Sequence, residues 1–114
     1  MIHVTIYQNE NSECVGFRTE GHAGYSEKGS DVVCAAASVL VINTINAIER
    51  YAKDPCSVIN NDEVGLIAYY LVNGYPSADA GLLLNTMILG LVNMADDDNY
   101  AEYIDLTFEE VQQP

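Results

Sequence analysis

Two side chains in the first third of the chain have the types and placement to break a covalent bond. His22 stands in a loop punctuated by Gly21, Gly24 and Gly29, and Cys34 lies just inside the alanine-rich run that follows. An imidazole that reaches a thiol takes its proton, and the thiolate attacks carbonyl carbon; the same imidazole then protonates the leaving amine. Cysteine needs less activation than serine, so a dyad without an orienting acid is chemically sufficient. The twelve positions between the two residues are too many for helical adjacency, so a glycine-rich loop has to fold back.

The elements that must position this pair follow from periodicity. Residues 2–8 alternate, with Ile2, Val4 and Ile6 on one face, and "CVGFRTE" (14–20) reads as the returning strand of a hairpin. Residues 21–30 have no periodicity and form the loop. Ser30 or Asp31 then caps a helix running to about Ala52, apolar on nearly every side of its first turns and therefore deep against a sheet. This puts Cys34 at the third or fourth helical position. There, free amides and the helix dipole favour a thiolate and can hold the oxyanion of an attacked carbonyl. Two strands around "NNDE", a helix over 77–96 and a strand over "YAEYIDL" complete the order β-β-α-β-β-α-β. The fold class is α/β, an α+β sandwich in which one sheet is packed by two helices, with residues 1–114 as a single domain.

Other residues carry two readings each. Asp31 either caps the helix or orients His22 as a third catalytic member. Ser38, four residues after Cys34, either touches the site or bonds back to the preceding turn. Gly21, Gly24 and Gly29 serve turns, and they also let the loop move over a bound peptide. Cys14 and Cys56 read as packing residues, and His3 is given no role.

Composition limits the function classes. Seventeen acidic residues against four basic ones give a formal charge of −13, which repels phosphate backbones and anionic lipid and attracts basic partners. No nucleic-acid partner and no membrane are expected; the apolar stretch "GLLLNTMILGLVNMA" reads as too short and too polar to span a bilayer. Three cysteines make neither a disulfide framework nor a zinc pattern, and no metal or other cofactor is implied. The odd count and an N-terminus that alternates like a strand point to a reducing cytoplasm.

"EGHAGYSEKGSDVVCAAAS" resembles the signature of the ribosomal-processing cysteine protease family, Prp, matched by Gly21, His22, Ala23, Gly24, Tyr25, Gly29, Asp31, Val33, Cys34, Ala35, Ala36 and Ser38. The similarity extends over essentially the whole chain. It implies a small α/β homodimer, with the catalytic histidine and cysteine at His22 and Cys34 and supporting roles at Asp31 and Ser38. It also implies a substrate: the short N-terminal extension of large-subunit ribosomal protein number twenty-seven, cut between Phe and Ala after an apolar stretch. Such a substrate asks for a greasy groove beside Cys34, for which Phe17 and Tyr25 are the aromatic candidates. Val32 and Ala37 stand where Ile or Val is common in the family, and "NNDE" is less acidic than its usual hairpin turn. Two further readings stand beside the protease: a non-catalytic acidic module that holds a basic ribosomal protein, and a redox-sensing thiol at Cys34.

Overall fold

The computed structural model describes residues 1–21 and 28–111, and for 28–31 the backbone alone. Five strands, β1 (Ile2–Gln8), β2 (Cys14–Glu20), β3 (Cys56–Asn61), β4 (Leu66–Leu71) and β5 (Ile104–Glu110), form one sheet in the order β3-β4-β2-β1-β5. Two helices, α1 (Lys28–Ala47) and α2 (Ala78–Asp96), pack together and against it. The expected element order and α+β class are the observed ones.

The alternation read in β1 carries real burial: Ile2, Val4 and Ile6 are all at most 5 % exposed. Antiparallel pairing of β1 with β2 sets Ile6 opposite Phe17 and Val4 opposite Thr19. Pairing of β2 with β4 continues those rows to Tyr69 and Ile67, and β3 extends them to Val58 and Asn60. Directly opposed residues share a face of the sheet, so each row is a line of side chains beneath the helices. Phe17 and Tyr69 stack in the middle of the sheet, ring centroids 5.3 Å apart.

Three expectations need correction. α1 begins at Lys28, so neither Ser30 nor Asp31 caps it, and Gly29 belongs to its first turn rather than to the loop. Glycine costs a helix about 1 kcal/mol, but in the first turn its N–H has no intrahelical carbonyl to find in any case. The substitution of helix for loop there is therefore inexpensive. Second, α1 is not deep on every side. Val33, Ala37, Val41, Thr44 and Ile48 form its buried stripe, while Val32 (51 %) and Val39 (67 %) face outward. A helix on one face of a single sheet has only one side to bury. Third, β5 begins at Ile104, after a short 3-10 turn (Ala101–Tyr103) that packs Tyr100 and Tyr103 against the core. It runs to Glu110 because β1 pairs with it in parallel along its entire length.

α1 continues as one π-helical turn (Ile48–Ala52) that closes on Lys53, whose φ of 62° and N–H bond to the Ile48 carbonyl end it before Pro55. Ser77 caps α2, accepting from the Ala80 N–H at 3.1 Å. α2 is 19 residues long, so its length does not exclude a membrane crossing as the sequence suggested. Residues 32–52 and 78–96 are both long and apolar enough for one by length and composition. Both nevertheless spend a full stripe on the sheet: Ala80, Leu84, Met87 and Leu91 of α2 are wholly buried there.

Candidate active site

The chemistry-bearing thiol lies where α1 leaves the sheet uncovered. Cys34, Ser38 and Ile42 follow one another at four-residue intervals, so they share one flank of the helix. The opposite flank carries Leu40, which meets Gly90 of α2. No α2 residue is among the described walls of the space on the Cys34 flank, a cavity of about 230 Å³. Its walls are Cys34, Ala37, Ser38 and Ile42 from α1, Ile2 from β1, and Thr19, Glu20 and Gly21 from the end of β2. The β3–β4 hairpin closes it with Asn60, Asp62, Gly65, Leu66 and Ile67. The row Thr19–Ile67–Asn60 forms its floor, as the strand register requires.

The cavity is an apolar trough with polar groups at its edges. Ile2, Ile42, Leu66 and Ile67 supply the greasy lining that the sequence had assigned to Phe17. Phe17 itself is fully buried, stacked on Tyr69, and does not reach this space. Leu66, Ile67 and Ile42 were missed, although the signal was present: extending the Cys34–Ser38 spacing by one more turn arrives at Ile42.

Cys34 is half-buried and unoxidised; Cys14 is buried and Cys56 exposed. Burial pushes the Cys14 thiol up to about 11, against a weaker lowering by a backbone hydrogen bond at Gly16. At neutral pH it therefore stays protonated and is no nucleophile. The packing role expected of Cys14 is observed, whereas Cys56 is exposed. Cys34 alone combines access with an enclosing cavity.

The helical position of Cys34 also needs correction. It is the seventh residue of α1 rather than the third or fourth, because the helix starts at Lys28. The four amides without helical partners belong to the first turn, residues 28–31. The backbone N–H groups of the Cys34 turn are thus not available as oxyanion donors. Asp31 sits in that first turn, ahead of Cys34. Ser38, by contrast, lines the cavity beside Cys34.

His22, Gly24 and Tyr25 lie outside the described residues. Gly21 has φ +114°, and a Cβ there would stand 2.2 Å from the Met1 carbonyl oxygen. Its N–H donates to the Val64 carbonyl at 3.3 Å, tying the residue before His22 to the hairpin tip. Only glycine meets both demands. His3, given no role, pairs through Nδ1 with Asp105 at 2.6 Å on the exposed side of the sheet. Among the described residues, no group of three or more His, Cys, Asp or Glu side chains is placed to hold a metal ion.

A small α+β domain with an accessible, enclosed thiol at the edge of an apolar trough has what a thiol hydrolase requires. The relatives make that class specific. The model of the family described as cysteine protease Prp matches residues 1–105, and the chain belongs to that family and is a cysteine protease. It is 29 % identical over 109 residues to the ribosomal processing cysteine protease Prp of Staphylococcus aureus, covering 96 % of this chain and all of that one. The solved S. aureus protein in complex with a substrate peptide superposes with a TM-score of 0.84 at 29 % identity, covering 96 % of this chain and 100 % of that one. A solved Streptococcus mutans protein gives 0.82 at 27 % identity, with 97 % and 96 % covered.

Proposed function

We propose that this chain removes the N-terminal extension of large-subunit ribosomal protein number twenty-seven, with Cys34 as nucleophile and His22 as its base. One observation carries the reading: the thiol of a chain in the cysteine protease Prp family opens onto an apolar trough wide enough for peptide side chains. The S. aureus relative is named for ribosomal processing and is solved with a substrate peptide, and the resemblance of the motif to the family's signature supports His22 and Cys34 as the catalytic pair.

In this reading the Cys34 thiolate forms a C–S bond to the scissile carbonyl while His22 holds the thiol's proton. Collapse breaks the C–N bond, and His22 passes that proton to the departing amine. Water, deprotonated by the same imidazole, then releases the acyl group and restores the thiol. Ile42, Leu66 and Ile67 receive the apolar side chains before the cut. Ser38 supports the site from the next turn of α1, and Asp31 orients His22. A basic ribosomal protein would be drawn in by the −13 charge. We further propose that the enzyme works in the cytoplasm as a homodimer, since Val32, Val39, Leu82 and Leu89 leave the outer faces of both helices apolar and exposed.

Incubation with the extended ribosomal protein, read by mass spectrometry of the new N-terminus, tests the proposal. Cys34→Ala should lose at least about a thousandfold in rate. Full cleavage by both Cys34→Ala and Cys34→Ser would end it. Tight, salt-sensitive binding without cleavage would favour the acidic binding module instead.

A further inference from the structure

The trough beside Cys34 has a charge as well as a shape. Its apolar floor is bounded at the open end of the sheet by two carboxylates from different elements, Glu20 at the end of β2 and Asp62 in the β3–β4 turn. Among the described residues, no lysine or arginine lines it. Their situations differ. Glu20 already accepts from the Arg18 guanidinium at 3.1 Å. Asp62 has no ion-pair partner among the described residues.

The turn that carries Asp62 is also held at the site. The Gly65 N–H donates to the Asp62 carbonyl, and the Val64 carbonyl accepts from Gly21. Asn61 Oδ1 accepts from the Glu63 N–H at 3.0 Å, bracing the same turn. The backbone that carries Asp62 therefore stands at a fixed place on the wall opposite α1, on a hairpin joined to the strand end that precedes His22. A carboxylate at the rim of an apolar trough leaves one polar demand in an otherwise greasy site, and a cation on a flexible aliphatic stem meets both conditions.

We infer that Asp62, seconded by Glu20, forms a subsite selecting a lysine or arginine side chain of the peptide near the scissile bond. The stem lies along Leu66, and the charged head reaches the carboxylate. This inference rests on the proteolytic reading of Cys34 and goes beyond it, because it makes the β3–β4 hairpin a determinant of sequence choice. The overall acidity of the chain brings basic proteins close, but it does not select one residue position; Asp62 does.

Peptides built on the leader sequence, identical except for Lys, Gln or Glu scanned through the positions flanking the cut, provide the probe. With the wild-type enzyme at low salt, one position should prefer Lys over Gln by about tenfold in kcat/KM, and added salt should shrink that preference. In Asp62→Asn the ratio at that position should fall toward one, and in Asp62→Lys the Glu peptide should overtake the Lys peptide. Glu20→Gln should reduce the ratio less, since Arg18 already engages that carboxylate. Cleavage with no Lys preference at any position, or a preference that survives Asp62→Lys, overturns the subsite while leaving the protease intact. Cleavage of no peptide overturns the proteolytic reading and this inference with it.

Discussion

The two ends of the sheet are built differently. At the end where β1 finishes and β2 starts, buried Asn9 uses its whole side chain. Its Oδ1 accepts from the Asn11 and Glu13 N–H groups at 2.9 and 3.1 Å, and its Nδ2 donates to the Glu13 carboxylate at 3.0 Å and the Gly74 carbonyl at 3.2 Å. Nearby, Asp54 accepts from both the backbone and the hydroxyl of Ser77, the cap of α2. At the other end, Gly21, Val64 and the Asp62–Gly65 turn are joined by backbone bonds of 3.3 Å around a cavity. One end spends its polar groups on fixing the fold. The other leaves a thiol, a hydroxyl and the Asp62 carboxylate uncommitted at the rim of an apolar space, and that is where chemistry is possible.

The largest disturbance should come from Gly21, the point at which the open end has no tolerance. Gly21→Ala puts a Cβ into the Met1 carbonyl and holds an L-residue at φ +114°. The strained backbone should cost about 3 kcal/mol, and any relief through movement of β2 or the hairpin displaces the residue next to His22. Urea denaturation and peptide cleavage should therefore both suffer, with activity reduced even at temperatures where the variant stays folded. A Gly21→Ala enzyme with wild-type kcat/KM would show that the strand end does not position the site.

Asn9→Ala should do the opposite. Loss of this buried hydrogen-bonding set should cost about 2 kcal/mol, seen as a lowered denaturation midpoint. Cleavage by the folded variant should stay within about twofold of wild type, because Asn9 lies at the far end of β1 from Cys34. A large fall in kcat with little loss of stability would mean that the two ends are coupled, and the contrast between them would fail.

Much of this division was legible in the sequence, for reasons that differ by residue. The period-two pattern of Ile2, Val4 and Ile6 fixes a face of β1, and Ser77 three residues before a free amide fixes the start of α2. Ser38 was found beside Cys34 because helical spacing is local. The start of α1 was not, since Gly29 and Ser30 weigh against a helix by propensity and only the surrounding structure decides that the turn forms. Phe17 was misplaced because one strand's alternation tells which face a side chain takes but not which part of that face the helices cover. Asp62 was invisible for a related reason: its place opposite Cys34 depends on pairing β3 with β4 and β4 with β2, a register that only the assembled sheet reveals.

The smallest effect tests how thoroughly the far end is closed to water. Burial holds the Cys14 thiol at about 11, above its ordinary 9.0. An unfolded chain therefore releases this proton first, and from pH 9 to 11 the folded state binds more protons than the unfolded one. The stabilisation is fully present below pH 9 and is lost as pH rises through 11, amounting to about 1 kcal/mol by pH 10. Unfolding free energies measured across that range should fall less steeply for Cys14→Ala than for wild type; burial also pushes the Tyr69 phenol up, a shift that both proteins largely share. The same closure should make iodoacetamide modify Cys34 and Cys56 well before Cys14 at pH 8. Equal slopes in the two proteins, or Cys14 reacting as fast as Cys34, would mean that water reaches the far end of the sheet as freely as it reaches the cavity. The separation of a fixing end from a reacting end would then have to be given up.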